Sequence, residues 1–344
     1  MTDHTKAPGM PDDTLLRVRG LAVNFRVARG PWPWQKARLH AVNGISFDIR
    51  RGETLGLVGE SGCGKSTLAR AVIGLAPVAS GSVIWQGEET VCGTQRRLGA
   101  LRRGVQMIFQ DPLASLDPRM SIGEIVAEPL RTRAPQLGRK EIARRVLTML
   151  ERVGLNAHHL ERRAHEFSGG QCQRVGIARA LIGEPALVIC DEPVSALDVS
   201  IQAQIVNLLR DLQRELALSL LFVGHDLAVV KTLSHRVMVM YLGRLMELGT
   251  REAVYDEAAH PYTRALLDAV PVADPAHARE RHAPLLRGEI PSPLNPPSGC
   301  AFRTRCPKAS AQCAAMAPEP AATGPCGSIV ACWHPRTASD AVAA

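Results

Sequence analysis

Nine residues, Gly59-Glu60-Ser61-Gly62-Cys63-Gly64-Lys65-Ser66-Thr67, constrain the fold of this chain more than any other stretch. They fill every fixed position of the phosphate-loop pattern G-x-x-x-x-G-K-[ST]. The flanks agree: Glu53–Val58 reads as a short apolar strand, and Thr67–Leu75 reads as the start of a helix. In such a strand–loop–helix unit the glycines let the main chain curl, so that successive N–H groups point inward. The helix N-terminus adds positive potential. Lys65 is expected to reach the β- and γ-phosphates of a nucleotide, and the Ser66 hydroxyl to ligate Mg²⁺. A chance glycine-rich turn would account for neither the flanking strand nor the helix.

The remaining composition sets bounds. A chain of 344 residues holds one large domain and a smaller one, and with 46% hydrophobic but only 4% aromatic residues its core should be aliphatic. No apolar run approaches the roughly 18 residues of a membrane span. Met1–Thr14 is polar, carries Asp3, Asp12 and Asp13, and does not read as a secretory signal. A cytosolic protein is therefore expected, one that meets a membrane only through partners. The net charge of +8 suits an anionic ligand or lipid surface as well as a solvated arginine face. No basic patch interleaved with aromatics points to single-stranded nucleic acid.

Along the chain, Leu15–Val27 reads as a strand or hairpin arm, and Arg29–Arg38 as a loop holding Trp32 and Trp34. Trp34 is a candidate to stack on adenine, or equally a loop aromatic docked on a neighbouring surface. Ala41–Ile49 and Ser82–Gln86 read as strands, the latter followed by a charged turn and a basic helix over Arg96–Arg103. Gly104–Phe109 is a buried strand that ends at Gln110, whose amide can reach Mg²⁺ or its water. Asp111–Glu166 is polar and helical, with Ile142, Val146, Met149, Leu150 and Val153 at helical spacing, as in a helical insert. Ser168-Gly169-Gly170-Gln171 then opens a helix over Cys172–Ile182, either as a second anion-binding surface or as an ordinary Ser168 cap.

Ala186–Cys190 is a continuous apolar run, the pattern of a buried parallel strand. It delivers Asp191 and Glu192 to its C-terminal end, where open α/β sheets bind ligands. Asp191 suits Mg²⁺ coordination and Glu192 suits polarising an attacking water; plain capping carboxylates are the alternative. Ser195–Asp198 starts a helix whose apolar stripe is Ile201, Ile205, Leu208, Leu209, Leu212 and Leu216. The strand over Ser219–Gly224 ends at His225, on the same edge as the two carboxylates, which favours a γ-phosphate contact over a structural histidine. Arg236–Tyr241 and Leu245–Leu248 form a strand pair.

This ordered set resembles the ATP-binding cassette of ABC transporters. Phosphate loops are shared with kinases and GTPases; Ser-Gly-Gly-Gln upstream of a carboxylate strand is specific to the cassette. The resemblance implies an α/β fold, with a RecA-like parallel-sheet core, an antiparallel β subdomain and a helical insert. It also implies that two cassettes pair head to tail. ATP and Mg²⁺ on Gly59–Thr67 of one would be closed over by Ser168–Gln171 of the other. Gln110 would sense the γ-phosphate and link to the insert, Glu192 orient the water, His225 hold the transition state, and Asp198 lie at the seam. The runs Phe109–Arg119, Ser168–Arg174, Asp191–Ser200 and His260–Leu267 are similar to oligopeptide and dipeptide importer ATPases, from about Leu15 to Trp333. Cys172 and Cys190 point within that group to the second ATP-binding subunit of an oligopeptide importer. The family then implies a sister ATPase, two membrane-spanning permeases, an external peptide-binding protein and a peripheral position on the cytoplasmic face of the inner membrane. A dipeptide or other small-solute importer such as one for nickel is the near alternative. A soluble cassette ATPase acting on nucleic acid or ribosomes is the distant one; such proteins often carry two cassettes in one chain or a long coiled-coil insert, whereas this sequence has one of each motif and no heptad array.

The expected boundaries are 1–14 disordered, 15–259 cassette with an insert at about 111–170, 260–334 extension, and 335–344 a disordered tail. The extension is rich in Pro and Ala, with a stiff run over Gly288–Pro297, and carries five of the nine cysteines. Cys300, Cys306, Cys313 and Cys332 match the family's cysteine pattern, for which the resemblance implies a 4Fe–4S cluster. Four thiolates also suit Zn²⁺, though the spacing lacks paired C-x-x-C, and an empty thiol tail is a third possibility. Cys326 fits no family position. Cys63, Cys92, Cys172 and Cys190 read as packing or loop residues. The cysteine region and the nucleotide site are expected to be independent.

Overall fold

The computed structural model describes residues 13–28, 36–92, 95–270 and 288–336. A central sheet of seven strands runs in the order β12-β11-β10-β3-β9-β8-β7. Its parallel part is β10 (Arg236–Tyr241), β3 (Thr54–Val58), β9 (Ser219–Val223), β8 (Leu187–Asp191) and β7 (Val105–Ile108). Strands β11 (Arg244–Thr250) and β12 (Ile329–Val330) extend it antiparallel at one edge. A second, antiparallel sheet joins β2 (Lys36–Arg50), β1 (Thr14–Ala28), β4 (Ser80–Trp85), β5 (Glu88–Cys92) and β6 (Gln95–Arg96).

Every residue of β3, β8 and β9 is buried, because both faces of the sheet are covered. Their side chains alternate between two cores. Leu187, Ile189, Leu221 and Val223 pack with α1 (Lys65–Val72) and the antiparallel sheet. Val188, Cys190, Leu220 and Phe222 pack on the other face, with helices α5 (Gly169–Leu181) and α6 (Val199–Glu215). Helices α3 (Ile122–Arg133) and α4 (Arg139–Arg152) stack on α5 at the far side of that core. Ser121 caps α3 in a capping box with Glu124, and Pro129 is accommodated inside the helix.

The segment after β4 is a hairpin, where the sequence suggests a charged turn. Gln86 and Gly87 both have positive φ, 50° and 88°, and join paired Trp85 and Glu88. That is the two-residue connection matching strand twist; the usual Asn-Gly signal is absent from it. Val91 and Thr90 of β5 are buried and anchor the pair. Helix α7 (Leu227–Leu233), capped by Asp226, is also unanticipated, being seven residues long. Among the described residues no helix is long and apolar enough to cross a membrane.

The chain beyond His260 is fastened to the central sheet, against the expectation of independence. Strand β12 pairs with β11, placing Val330 opposite Glu247. The fully buried Glu247 carboxylate accepts hydrogen bonds from the Ala259 and His260 N–H groups at 2.9 and 3.1 Å. Its pKa is raised by burial. Phe302 packs against both Tyr241 of β10 and Tyr262 of α9 (Pro261–Asp268), with ring centroids 5.5 and 5.2 Å away. Replacing Glu247 with Ala strands two buried donors, so Glu247→Ala should lower unfolding stability by about 2 kcal/mol or more in urea titrations. Wild-type stability in that variant would contradict the fastening role.

Candidate functional site

The loop between β3 and α1 is shaped by three glycines that no other residue could replace without strain. Gly59, Gly62 and Gly64 have φ of 153°, 77° and 103°. A Cβ on Gly59 would strike the Met240 carbonyl, and one on Gly64 the Ala41 carbonyl. The loop is braced from behind by the Leu242–Gly243 turn of the β10–β11 hairpin. There Gly243 N–H donates to the Cys63 carbonyl at 2.8 Å, and Asn43 N–H donates to the Gly243 carbonyl at 2.8 Å. Sequence inspection finds a strand pair here but not its role as a brace.

Lys65 is buried in the curl and donates from Nζ to the Gly59 and Glu60 carbonyls at 2.8 and 3.2 Å. Ser66 Oγ donates to Asp191 Oδ1 at 2.6 Å, so the loop and the end of β8 are in direct contact. Asp191 is wholly buried, and desolvation raises its pKa. Arg70, a residue the motif does not flag, lies 3.5 Å from its other oxygen. A buried carboxylate joined to a serine hydroxyl is a donor set that fits Mg²⁺, whose remaining ligands would be phosphate oxygens and water. Among the described residues no group of three or more His, Cys, Asp or Glu side chains could hold a metal ion by itself.

Glu192 is the hub of the site. Gln110 Nε2, just past β7, donates to Glu192 Oε2 at 3.1 Å. His225 Nδ1, just past β9, is 3.6 Å from the same oxygen, and Lys65 Nζ is 3.9 Å from Oε1. The Glu192 backbone has φ 47°, a left-handed conformation costing a non-glycine residue about 1–3 kcal/mol. Its N–H donates to the Val223 carbonyl at 3.0 Å, which holds the kink in place. Ser61, Gly64, Lys65, Ser66, Gln110 and Glu192 share one open cleft.

Ser168–Gln171 and Asp198 do not line that cleft. Ser168 caps α5, accepting the Gln171 N–H at 3.3 Å, while Gln171 Oε1 accepts the Ser168 N–H at 3.0 Å. Gly170 allows a close approach: a Cβ there would press on Ile201 of α6 at 2.6 Å. Asp198, at the start of α6, is exposed, and beside it Val199 is 81% exposed. Trp34 lies outside the described residues.

Cys300, Cys306, Cys313 and Cys332 line one small pocket together with His260 and His334. Cys313 Sγ is 3.5 Å from Ser310 Oγ, and the His334 N–H donates to Cys332 Sγ at 3.3 Å. Burial pushes the Cys300 and Cys306 thiols up, and burial with the neighbouring cysteines pushes Cys332 up to about 11. Cys326 is exposed and faces Glu257 instead. Cys63, Cys172 and Cys190 are buried, as packing residues should be. Two residues of the extension reach the phosphate loop itself. The Tyr262 hydroxyl accepts the Glu60 N–H at 3.0 Å, and Arg305 pairs with the Glu60 carboxylate. Tyr262 belongs to the His260–Leu267 run, but neither residue's contact with the loop is legible from the sequence.

Comparison with known proteins agrees with this geometry. Residues 42–195 match the family described as ABC transporter, and residues 246–313 match that described as oligopeptide/dipeptide transporter, C-terminal region. The chain is 58% identical over 306 residues to the oligopeptide transport ATP-binding protein OppF of Escherichia coli (strain K12), covering 88% of this chain and 92% of that one. It is 55% identical over 308 residues to the protein of the same name in Haemophilus influenzae, covering 89% and 93%. Among solved structures, cbiO1 from Clostridium perfringens, part of the ABC transporter complex cbiONQ, superposes with a TM-score of 0.60 at 31% identity, covering 71% of this chain and 92% of that one. A dimeric structure of MJ0796, a bacterial ABC transporter cassette, superposes with a TM-score of 0.60 at 25% identity, covering 69% and 99%. The fold, the assembled cleft and these likenesses together place the chain in the ABC transporter family, among the ATP-binding proteins of oligopeptide transport.

Proposed function

We propose that this chain is the ATP-binding and ATP-hydrolysing subunit of an ABC importer that drives oligopeptide uptake. The observation that carries the reading is the convergence of Lys65, Ser66, Asp191, Glu192, Gln110 and His225 at one edge of the parallel sheet. Its kinship with OppF proteins supplies the cargo class.

The roles follow from chemistry. Lys65 and the loop N–H groups hold the β- and γ-phosphates, and Ser66, Asp191 and the Gln110 amide hold Mg²⁺ and its water. Mg²⁺ supplies charge neutralisation on the phosphate oxygens. Glu192 orients the attacking water, with Gln110 and His225 fixing its carboxylate, and His225 contacts the γ-phosphate. Trp34 is retained as a candidate adenine partner. The signature Ser168–Gln171 is remote from this cleft in its own chain, so it serves the nucleotide of a second cassette, with Asp198 and the exposed Val199 at the seam. That second cassette is a sister subunit, and two permeases carry the pair on the inner face of the membrane. Within the chain, 15–259 is the cassette, 111–170 its insert and 260–334 the extension.

The four-cysteine pocket would hold a 4Fe–4S cluster through Cys300, Cys306, Cys313 and Cys332. The donor set fits in kind, four cysteines lining one pocket beside Phe302 and Trp333. A single Zn²⁺ fits less well: with Zn–S of about 2.3 Å its four sulfurs would crowd around one point, and no such group is present among the described residues.

Glu192→Gln should keep MgATP binding but lower steady-state turnover by roughly 10²-fold or more. Unchanged turnover would remove Glu192 from that role. Anaerobically purified protein should carry stoichiometric iron and acid-labile sulfide with a brown absorbance, and Cys332→Ser should bleach it. Zinc, or no metal, in the anaerobic preparation would rule the cluster out.

A further inference from the structure

The phosphate loop carries a carboxylate of its own, and its partner comes from the far end of the chain. Arg305 Nη1 donates to Glu60 Oε2 at 2.8 Å and Nη2 to Oε1 at 2.9 Å, a two-pronged charge-assisted pair. The side chains are 6% and 18% exposed. Nη1 also donates to the Tyr241 hydroxyl at 3.4 Å, and the guanidinium lies 5.9 Å from that ring's centroid. Glu60 raises the pKa of Arg305, so the cation persists at all ordinary pH. With Tyr262 accepting the Glu60 N–H, both the backbone and the side chain of this residue are held from outside the loop.

Glu60 sets a problem for the nucleotide reading on which this inference rests. Everything else in the loop favours an anion, whereas a part-buried carboxylate there repels one, and burial limits screening by salt. Neither Arg305 nor Glu60 lines the cleft, so neither touches the phosphates directly. We propose that Arg305 is a positioning residue for ATP. It cancels the Glu60 charge and pins that carboxylate away from the phosphates, so the loop presents a net positive cradle. The C-terminal extension would thus be a condition of tight nucleotide binding.

The experiment is calorimetric titration of the full-length protein with MgATP, MgADP and AMP. R305M should weaken MgATP binding by about tenfold, MgADP less and AMP hardly at all, because MgATP sets both its β- and γ-phosphates on the loop, MgADP one and AMP neither. The double variant E60Q/R305M removes both charges and should return MgATP affinity to within about threefold of wild type. A merely structural loss would weaken all three nucleotides alike and would not be repaired by a second substitution. MgATP affinity in R305M within twofold of wild type, equal losses for the three nucleotides, or a double variant no tighter than R305M overturns the proposal. Should R305M not fold, E60Q alone decides: it should tighten MgATP by about threefold, and a tenfold loss overturns the idea. Wild-type protein that binds none of the three overturns the nucleotide reading, and this proposal with it.

Discussion

The 2.6 Å hydrogen bond from Ser66 to Asp191 is possible only because β3, β9 and β8 run parallel and in fixed register. Leu57 sits opposite Val223, and Val223 opposite Asp191, so the three strands release their chains at one height. The phosphate loop, the two carboxylates and His225 all leave from that edge, with Gln110 arriving from β7 beside them. A slip of one residue in any of these pairings would exchange the two buried faces of a strand. The cores on either side are different, one built with α1 and the other with α5 and α6, so such a slip is opposed by packing along the whole strand. The accuracy of the site is therefore borrowed from aliphatic side chains that take no part in chemistry.

What could be read beforehand divides along a physical line. The loop Gly59–Thr67, the strand ending in Asp191–Glu192 and the Ser168–Gln171 helix start are local devices, in which composition and spacing act within a few residues. Their positions were therefore legible, and so was the apolar stripe at helical spacing behind α6. The hairpin over β4 and β5 was not, because Gln86–Gly87 has the glycine of the usual turn pair without its Asn or Asp, and its pairing is decided by burial of Val91. Arg70, Tyr262, Arg305 and the Leu242–Gly243 brace were hidden for a related reason. Each gains its importance from a partner far away in sequence, up to 245 residues for Arg305 and Glu60.

The same distinction explains why the cysteine-bearing extension reads as detached when it is not. Its composition, rich in Pro and Ala, suggests a tail laid over a finished domain. In the structure its contacts with the cassette, apart from the short β12–β11 pairing, are made by single residues: Phe302 among the tyrosines, Arg305 on Glu60, and the backbone N–H groups near His260 on Glu247. None repeats with a period, and none forms a motif. Yet each is buried or charge-assisted, so together they bind the extension to the elements that shape the loop.

Two-residue β12 has a consequence out of proportion to its length. Sheet margins carry a row of unsatisfied amides and carbonyls that invite another polypeptide to add itself. By lying against Glu247 and Leu248, Ile329 and Val330 shield part of that margin on the β11 side. Loss of the terminal segment would therefore do more than remove cysteines: it would uncover a sticky border on a hydrophobic sheet and invite self-association.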